Sequence, residues 1–324
     1  MSRGDFFTSF RFFSIVLLLL AVVSCVSPSQ KFGSPVPELD INEPTRLIQE
    51  ADQGNAAEVK KLLAAGEKPD QANPQGVTAL MVAARKGYVN VMQLLLSRNA
   101  STSLTDDQGS TALHYAVLGN QIEATELLIS NHAPLDLKDG FDLTPLMLAT
   151  RFGDLRIVKT LLKGNANPNI KDENGWSPIF FAIARSDLDI FDALIDRNDD
   201  LQAQDTEGDG LVATAVQLRQ HFILKKLLEM HAPAGMLDKR KASPLFMAIE
   251  NGDVESVRML AKVVSINDKF SDGRTPLMTA IDLRQKNVAS LLLSLKPDLT
   301  SKDGHGRSYL DHLSALGLDE EWLK

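Results

Sequence analysis

The chain has 324 residues, of which 44% are hydrophobic and 23% charged, the balance of a folded globular chain and not of a disordered or fibrous one. Its 34 basic against 42 acidic residues give a formal net charge of −8, which argues against nucleic acid or an anionic lipid surface as the partner. The single cysteine, Cys25, has no intramolecular disulfide partner.

The first residues read as an address. Arg3 and Arg11 precede an apolar run from Phe12 to Val23, short for a membrane span but suited to a signal-peptide core. The run ends in Val22-Val23-Ser24-Cys25, which resembles the lipobox of bacterial lipoproteins. The resemblance implies cleavage after Ser24 and acylation of Cys25, so that residues 1–24 are a signal peptide. The competing readings are an ordinary secretory signal, or an uncleaved anchor with a chance cysteine. Residues 25–43 follow as a tether: Pro28, Pro35 and Pro37 punctuate a polar stretch without helical period, which behaves as an extended spacer.

From residue 44 onward the chain repeats. Thr45, Thr78, Thr111, Thr144, Ser177, Gly210, Ser243, Thr275 and Ser308 are spaced by 33 residues, except for a step of 32 between Ser243 and Thr275. Two places after each anchor the residue is apolar, from Leu47 to Leu310. Alanine lies five places after it in repeats two to eight (Ala83 to Ala280), and leucine seventeen places after it in repeats one to eight (Leu62 to Leu292). A fixed period of this size marks a stacked repeat protein.

Each repeat reads as helix, turn, helix. The anchor hydroxyl suits a helix N-cap, and Pro145, Pro178, Pro244 and Pro276 suit the next position, where a missing N–H is harmless. Asn55, Asp154, Asp187 and Asp253 are placed to cap the second helix. Gly66, Asn99, His132, Asn165, Asn198 and His231 share one offset after it and tolerate a left-handed backbone. Between repeats, an Asp or Asn five before the anchor (Asn73, Asp106, Asp139, Asp172, Asp205, Asp238, Asp303) and a frequent glycine two before it spell a turn.

Thr111–Ala116 (TALHYA), Thr144–Ala149 (TPLMLA), Ser243–Ala248 (SPLFMA) and Thr275–Ala280 (TPLMTA) resemble the ankyrin-repeat signature. That resemblance covers about residues 44–322. It implies an all-α solenoid of about nine helix-turn-helix units, the last truncated, joined by β-hairpin-like turns and stacked into an elongated, curved array. Three features depart from the pattern: only His114 fills the signature's histidine place, the sixth repeat has Gly210-Leu211 for Thr-Pro, and the seventh has Lys241 for the turn glycine and a shortened segment before Phe270. The contact between repeats six and seven is therefore expected to be the weakest. Polar residues on the first and ninth repeats suit terminal caps.

No catalytic constellation is present. The six histidines are scattered, and no HExxH, Gly-x-Ser-x-Gly or P-loop occurs. His114 reads as structural, His132 and His231 as turn residues, and His305 and His312 as exposed cap residues. Met81, Met147 and Met278 share one register and read as core or groove filling. No metal or other cofactor is expected.

In ankyrin proteins the variable places on the fingers and first helices face the groove, and the middle repeats fill those places unusually. They carry Val77, Leu118, Phe141, Leu143, Phe152 and Trp176, with the basic residues Arg85, Lys86, Arg151 and Arg185 in the same register. Aromatic and arginine anchors dominate binding hot spots. The expected partner site is centred on Phe141, Arg151, Phe152 and Trp176, with Arg85, Leu118, Leu143 and Arg185 around it; the alternative for Phe152 and Trp176 is packing against neighbouring fingers. Lys239-Arg240-Lys241 is either a solvated turn or a contact for an acidic partner.

The sequence thus predicts a monomeric, non-enzymatic lipoprotein of the bacterial cell envelope, tethered to a membrane and binding a protein partner on the concave face, as an inhibitor or immunity protein or as a scaffold. Competing readings are a structural envelope protein that binds cell-wall or host surface molecules, and an enzyme with a site assembled across repeats.

Overall fold

The computed structural model describes residues 44–196 and 200–323; the signal segment, Cys25, the tether and Asn198 lie outside them. Helices come in pairs. The first pair is α1 (Arg46–Asp52) and α2 (Ala56–Ala64), the second α3 (Ala79–Lys86) and α4 (Val89–Leu96), the third α5 (Ala112–Leu118) and α6 (Ile122–Ser130). Repeat four holds α7 (Pro145–Phe152) and α8 (Leu155–Lys163), repeat five α9 (Pro178–Arg185) and α10 (Leu188–Ile195), repeat six α11 (Leu211–Gln217) and α12 (His221–Glu229). Repeats seven and eight hold α13 (Pro244–Glu250) with α14 (Val254–Leu260), and α15 (Pro276–Asp282) with α16 (Lys286–Ser294). Repeat nine is α17 (Tyr309–Ala315) and one 3-10 turn, Glu320–Leu323. First helices pack on first helices of the adjacent repeats and second helices mostly on second helices, as a solenoid requires; between α10 and α12 the contact is thin and carries the Lys226–Asp192 ion pair.

Short local bonds set the helix starts. Thr45, Thr78, Thr144, Ser243, Thr275 and Ser308 each accept the backbone N–H three residues on, at 3.2–3.4 Å. Asn55, Asp154, Asp187 and Asp253 cap α2, α8, α10 and α14 as their positions predict. The third residue of a first helix matters as much as the anchor. In repeat three, His114 Nδ1 takes the Thr111 N–H at 3.1 Å; in repeats two and four the sulfurs of Met81 and Met147 take the equivalent N–H at 3.4 Å. A thioether is a weak acceptor, yet it occupies the histidine's place. In repeat five Phe180 offers no acceptor, and the buried Ser177 hydroxyl has no hydrogen-bond partner.

The repeating apolar places form the core. Ala83, Ala116, Ala182, Ala215, Ala248 and Ala280 are fully buried, as are the leucines from Leu95 to Leu292 at the seventeenth place. Each such leucine contributes about 1.5–3 kcal/mol by leaving water. Leu310, in the last repeat, is instead 48% exposed.

The fingers are closed by the turn residue. Asp106, for example, accepts the N–H groups of Gln108 and Ser110 at 2.9 and 2.8 Å, and Asn73, Asp139, Asp172, Asp205, Asp238 and Asp303 do the same in their fingers. Isolated antiparallel bridges (Ala72 with Thr78, Thr105 with Thr111, Gln204 with Gly210) give them hairpin character. Successive fingers are then joined by single backbone bonds: Asp107 N–H to Gln75 C=O, Gly140 to Gln108, Thr206 to Asn174 and Lys239 to Glu207, at 2.5–2.9 Å.

This ladder explains the turn glycine. A Cβ on Gly76 would stand 2.9 Å from Asp106 Cα, and one on Gly175 2.7 Å from Thr206 N. Asp142 and Lys241 put a real side chain at that place, at φ 62° and 63°, and after each of them the ladder bond is missing. A third gap follows Gly273, so bulk is not the only cause. The finger of repeat six is bonded to that of repeat seven; the gap falls one finger later. There the turn place holds Phe270, whose ring meets Phe246 edge-on at 4.8 Å.

Candidate interaction surface

The fingers and first helices carry the candidate residues, and the structure sorts them by exposure. Phe141 at a finger tip is 69% exposed, and Phe152 at the end of α7 is 50% exposed. Arg185 is exposed; Arg85, Leu118, Arg151 and Trp176 are half-buried. Leu143 is 4% exposed, as is Val77, so neither is open to a partner. The cause is general: the residue before the anchor returns its carbonyl to the turn residue (Asn73 N–H to Val77 C=O, Asp139 N–H to Leu143 C=O), and its side chain is folded against the stack. Ser110, Asp209 and Ala242 are buried in the same place.

Trp176 shares that place and keeps part of its ring in solvent because it stacks on its own helix. Its ring lies 5.9 Å from Phe180 and 5.4 Å, edge-on, from Phe181. Trp176 therefore packs on its own helix and not on a neighbouring finger, while Phe152 keeps half its surface in solvent. The eight residues of α7 separate its two ends by about 12 Å. The expected single patch is thus two: Phe141 and Trp176 at the finger end, and Arg85, Leu118, Arg151, Phe152 and Arg185 along the far ends of the first helices.

That far row has defined chemistry. The Arg85 guanidinium lies over the Tyr115 ring, 6.0 Å from its centroid. Tyr115 donates its hydroxyl to Asp106 at 2.6 Å; burial first, and then that bond, push its pKa up. Arg185 Nη1 donates to the Arg151 carbonyl at 3.0 Å, tying repeat five to repeat four. Neither Arg151 nor Arg185 is paired with a carboxylate among the described residues. Nearby acids are engaged elsewhere: Asp52 with Lys86, Asp142 with Lys138, and Asp154 and Asp187 as helix caps.

The histidines divide differently from expectation. His114 is fully buried, and its Nε2 bonds the Leu143 carbonyl at 3.2 Å; burial lowers its pKa, and the carbonyl only partly opposes that. His132 and His231 adopt the left-handed backbone, with φ 57° and 58°. His312 is not an exposed cap residue: it is buried between two carboxylates, Nδ1 at 2.7 Å from Asp282 and Nε2 at 3.3 Å from Asp303. Those acids lie in the eighth repeat and in the last finger, which a reading of the ninth repeat alone does not bring together. His221 Nε2 reaches Asp253 at 2.9 Å, and Ser256 Oγ donates to the same carboxylate at 2.6 Å. The carboxylate, not the imidazole, stands in the middle, so this trio does not form a nucleophile–base relay.

Phe222, 77% exposed on α12, escaped the sequence reading. A signal existed: the same place in other repeats holds Asn90, Glu123, Arg156, Asp189, Glu255 and Asn287. A cleft of about 370 Å³ in the last repeat is lined by Leu310, Leu313, Leu318 and three acids, Asp319, Glu320 and Glu321. No helix among the described residues is long and apolar enough to cross a membrane, and no group of three or more metal-ligating side chains converges there.

Comparison with known families agrees with the geometry. The family described as Ankyrin repeats (3 copies) matches residues 47–139, 120–205 and 212–303. The chain belongs to the ankyrin-repeat family. Ankyrin arrays are protein–protein interaction modules, and the exposed residues of the first helices and fingers are read in that light. Among curated proteins, the ankyrin chain is similar to neurogenic locus notch homolog protein 2 of Homo sapiens and of Mus musculus, 37% identical in each case over 127 residues, 38% of this chain. The match spans 5% of the length of those relatives.

Proposed function

We propose that this protein is a bacterial envelope lipoprotein, held at a membrane through acylated Cys25 and the tether of residues 25–43, whose ankyrin array binds a protein partner. The observation that carries the binding reading is Phe152: a half-exposed aromatic on a first helix, beside two arginines that have no carboxylate partner among the described residues. Exposed aromatics in such company mark interaction sites. Phe141 and Trp176 extend the surface at the finger end. The lipid reading rests on the Val22–Cys25 tetrapeptide and on the uniqueness of the cysteine. Two or more acyl chains anchor a protein stably, because burial contributes about 0.8 kcal/mol per CH₂.

Two measurements test this. Cells fed a labelled fatty acid should label the wild-type chain and not Cys25→Ala; equal labelling rejects the anchor. A photo-crosslinking residue at position 152 should trap one protein partner in the envelope, and one at position 222, on a second helix, should not. Trapping at 222 alone rejects the proposed face. An assay of the trapped partner then separates an inhibitor, which abolishes its activity stoichiometrically, from a scaffold, which leaves it active.

A further inference from the structure

The far ends of the first helices form a row in which charge changes sign along the stack. Seven places after the anchor stand Asp52, Arg85, Leu118, Arg151, Ala184, Gln217, Glu250 and Asp282; one place later are Lys86 in repeat two and Arg185 in repeat five. The basic part covers repeats two to five, with Leu118 and Phe152 inside it. The acidic part follows in repeats seven and eight. Asp282 is held by Arg274 at 2.6 Å and by His312. In the basic part, Asp52 already holds Lys86 at 3.5 Å. Arg185 spends one of its donors on the Arg151 carbonyl, and among the described residues Arg151 and Arg185 meet no carboxylate. Guanidinium groups are planar forks suited to carboxylates, and these two keep donors for one from outside.

From this charge pattern we infer that the segment of the partner docking on this row is an extended acidic peptide with one apolar anchor; the inference rests on the protein-binding reading above. The spacing follows from the fold. Neighbouring first helices lie about 8–10 Å apart, and an extended chain advances about 3.3 Å per residue, so one repeat corresponds to about three peptide residues. A carboxylate on Arg85 is then followed about three residues later by an apolar side chain on Leu118 against Phe152. A second carboxylate on Arg151 lies about three residues further, and a third on Arg185 about three beyond that. The apolar anchor falls between the first two carboxylates, off the centre of the run, and this sets the register and direction of the bound chain.

The test uses the purified full-length chain and a labelled peptide of about a dozen residues with Asp at positions one, seven and ten and Leu at four, the spacing derived above. Fluorescence anisotropy should show binding that weakens at least about tenfold, or about 1.4 kcal/mol, in Arg151→Glu with Arg185→Glu. Lys239→Glu with Lys241→Glu, the same charge change on a distant finger, should leave it within about threefold. A peptide with Lys for Asp should not bind. Because Arg185 also ties two repeats together, Arg151→Gln alone is measured beside the double variant, with circular dichroism confirming the helices; it should weaken binding at least about threefold. Three outcomes overturn the inference: no preference for Asp over Lys, affinity indifferent to Arg151 and Arg185, or an oligothymidylate of equal charge that competes equally. If the peptides fail while the native partner still crosslinks at position 152, only the acidic-segment inference falls. Loss of that crosslink removes the protein-binding reading itself.

Discussion

Replacing His114 with alanine measures how far one buried side chain ties the third repeat to the fourth. Its Nδ1 takes the Thr111 N–H at 3.1 Å, which leaves the ring proton on Nε2, and that proton is given to the Leu143 carbonyl at 3.2 Å. The alanine variant strands the Thr111 N–H at about 1–3 kcal/mol, leaves the Leu143 carbonyl with the Asp139 N–H as its remaining donor, and opens a cavity worth about 1–2 kcal/mol more. Partial relaxation leaves an expected loss of about 2–4 kcal/mol. Urea unfolding gives the total, and hydrogen exchange should place it in repeats three and four, because a repeat array need not unfold as one unit. A loss below about 1 kcal/mol refutes the reasoning. Acid gives a second reading. Burial lowers the folded pKa of His114 below its free value of about 6.5, so the unfolded chain takes up a proton that the folded chain refuses. The stability contribution is whole above about pH 6.5 and is lost as pH falls from there through the lowered folded value, by up to about 1.4 kcal/mol per pH unit. His114→Gln cannot titrate and should lack this component. Equal losses in the two proteins between about pH 7.5 and 5.5 contradict the assignment.

Other outcomes follow from the caps and fingers. Asp253→Ala should lower stability by about 2–3 kcal/mol in urea, since the carboxylate caps α14 and also holds His221 and Ser256. Burial alone raises its pKa, but the bonds from Ser256 and His221 outweigh that and hold it below the ordinary value, so its contribution is present above about pH 4 and fades as pH falls through the lowered one; an unchanged midpoint speaks against the network. Ser177→Ala should be neutral within about 0.5 kcal/mol while Thr144→Ala loses about 1 kcal/mol, because the Ser177 hydroxyl has no partner and Thr144 caps α7; equal melting shifts contradict this. Lys241→Gly removes a left-handed side chain at about 1–2 kcal/mol against glycine's entropy of about 0.5–1 kcal/mol, a net gain of about 0.5–1 kcal/mol. Exchange in fingers seven and eight should slow, and faster exchange counts against the ladder argument. Wild-type exchange should be fastest between repeats six and eight, and uniform protection there refutes a weak junction.

The candidate surface was only partly legible in the sequence. Subtracting the repeat singled out Phe141, Arg151 and Phe152, which are open to a partner in the fold. It also singled out Leu143 and Val77, whose place is buried in most repeats by the closing of the finger. Trp176→Ala removes a ring that packs on Phe180 and Phe181, so it changes the fold as well as the surface. Phe222 lies on a second helix, outside the groove register that singles out the other residues.

What the sequence determined by itself was local or periodic: the repeat boundaries, the caps at Asn55, Asp154, Asp187 and Asp253, the left-handed turns at His132 and His231, and the alanine and leucine core. Those features depend on bonds spanning two to five residues, or on a face that recurs every 33. Tertiary structure decided whatever needs a neighbour one repeat away. It set the burial of His312 between Asp282 and Asp303 and the finger gaps after Asp142 and Lys241. It also split the expected patch, because the length of α7 lies between its two halves. Side-chain direction and close approach between repeats are set by the packed backbone, and no reading along a single repeat contains them.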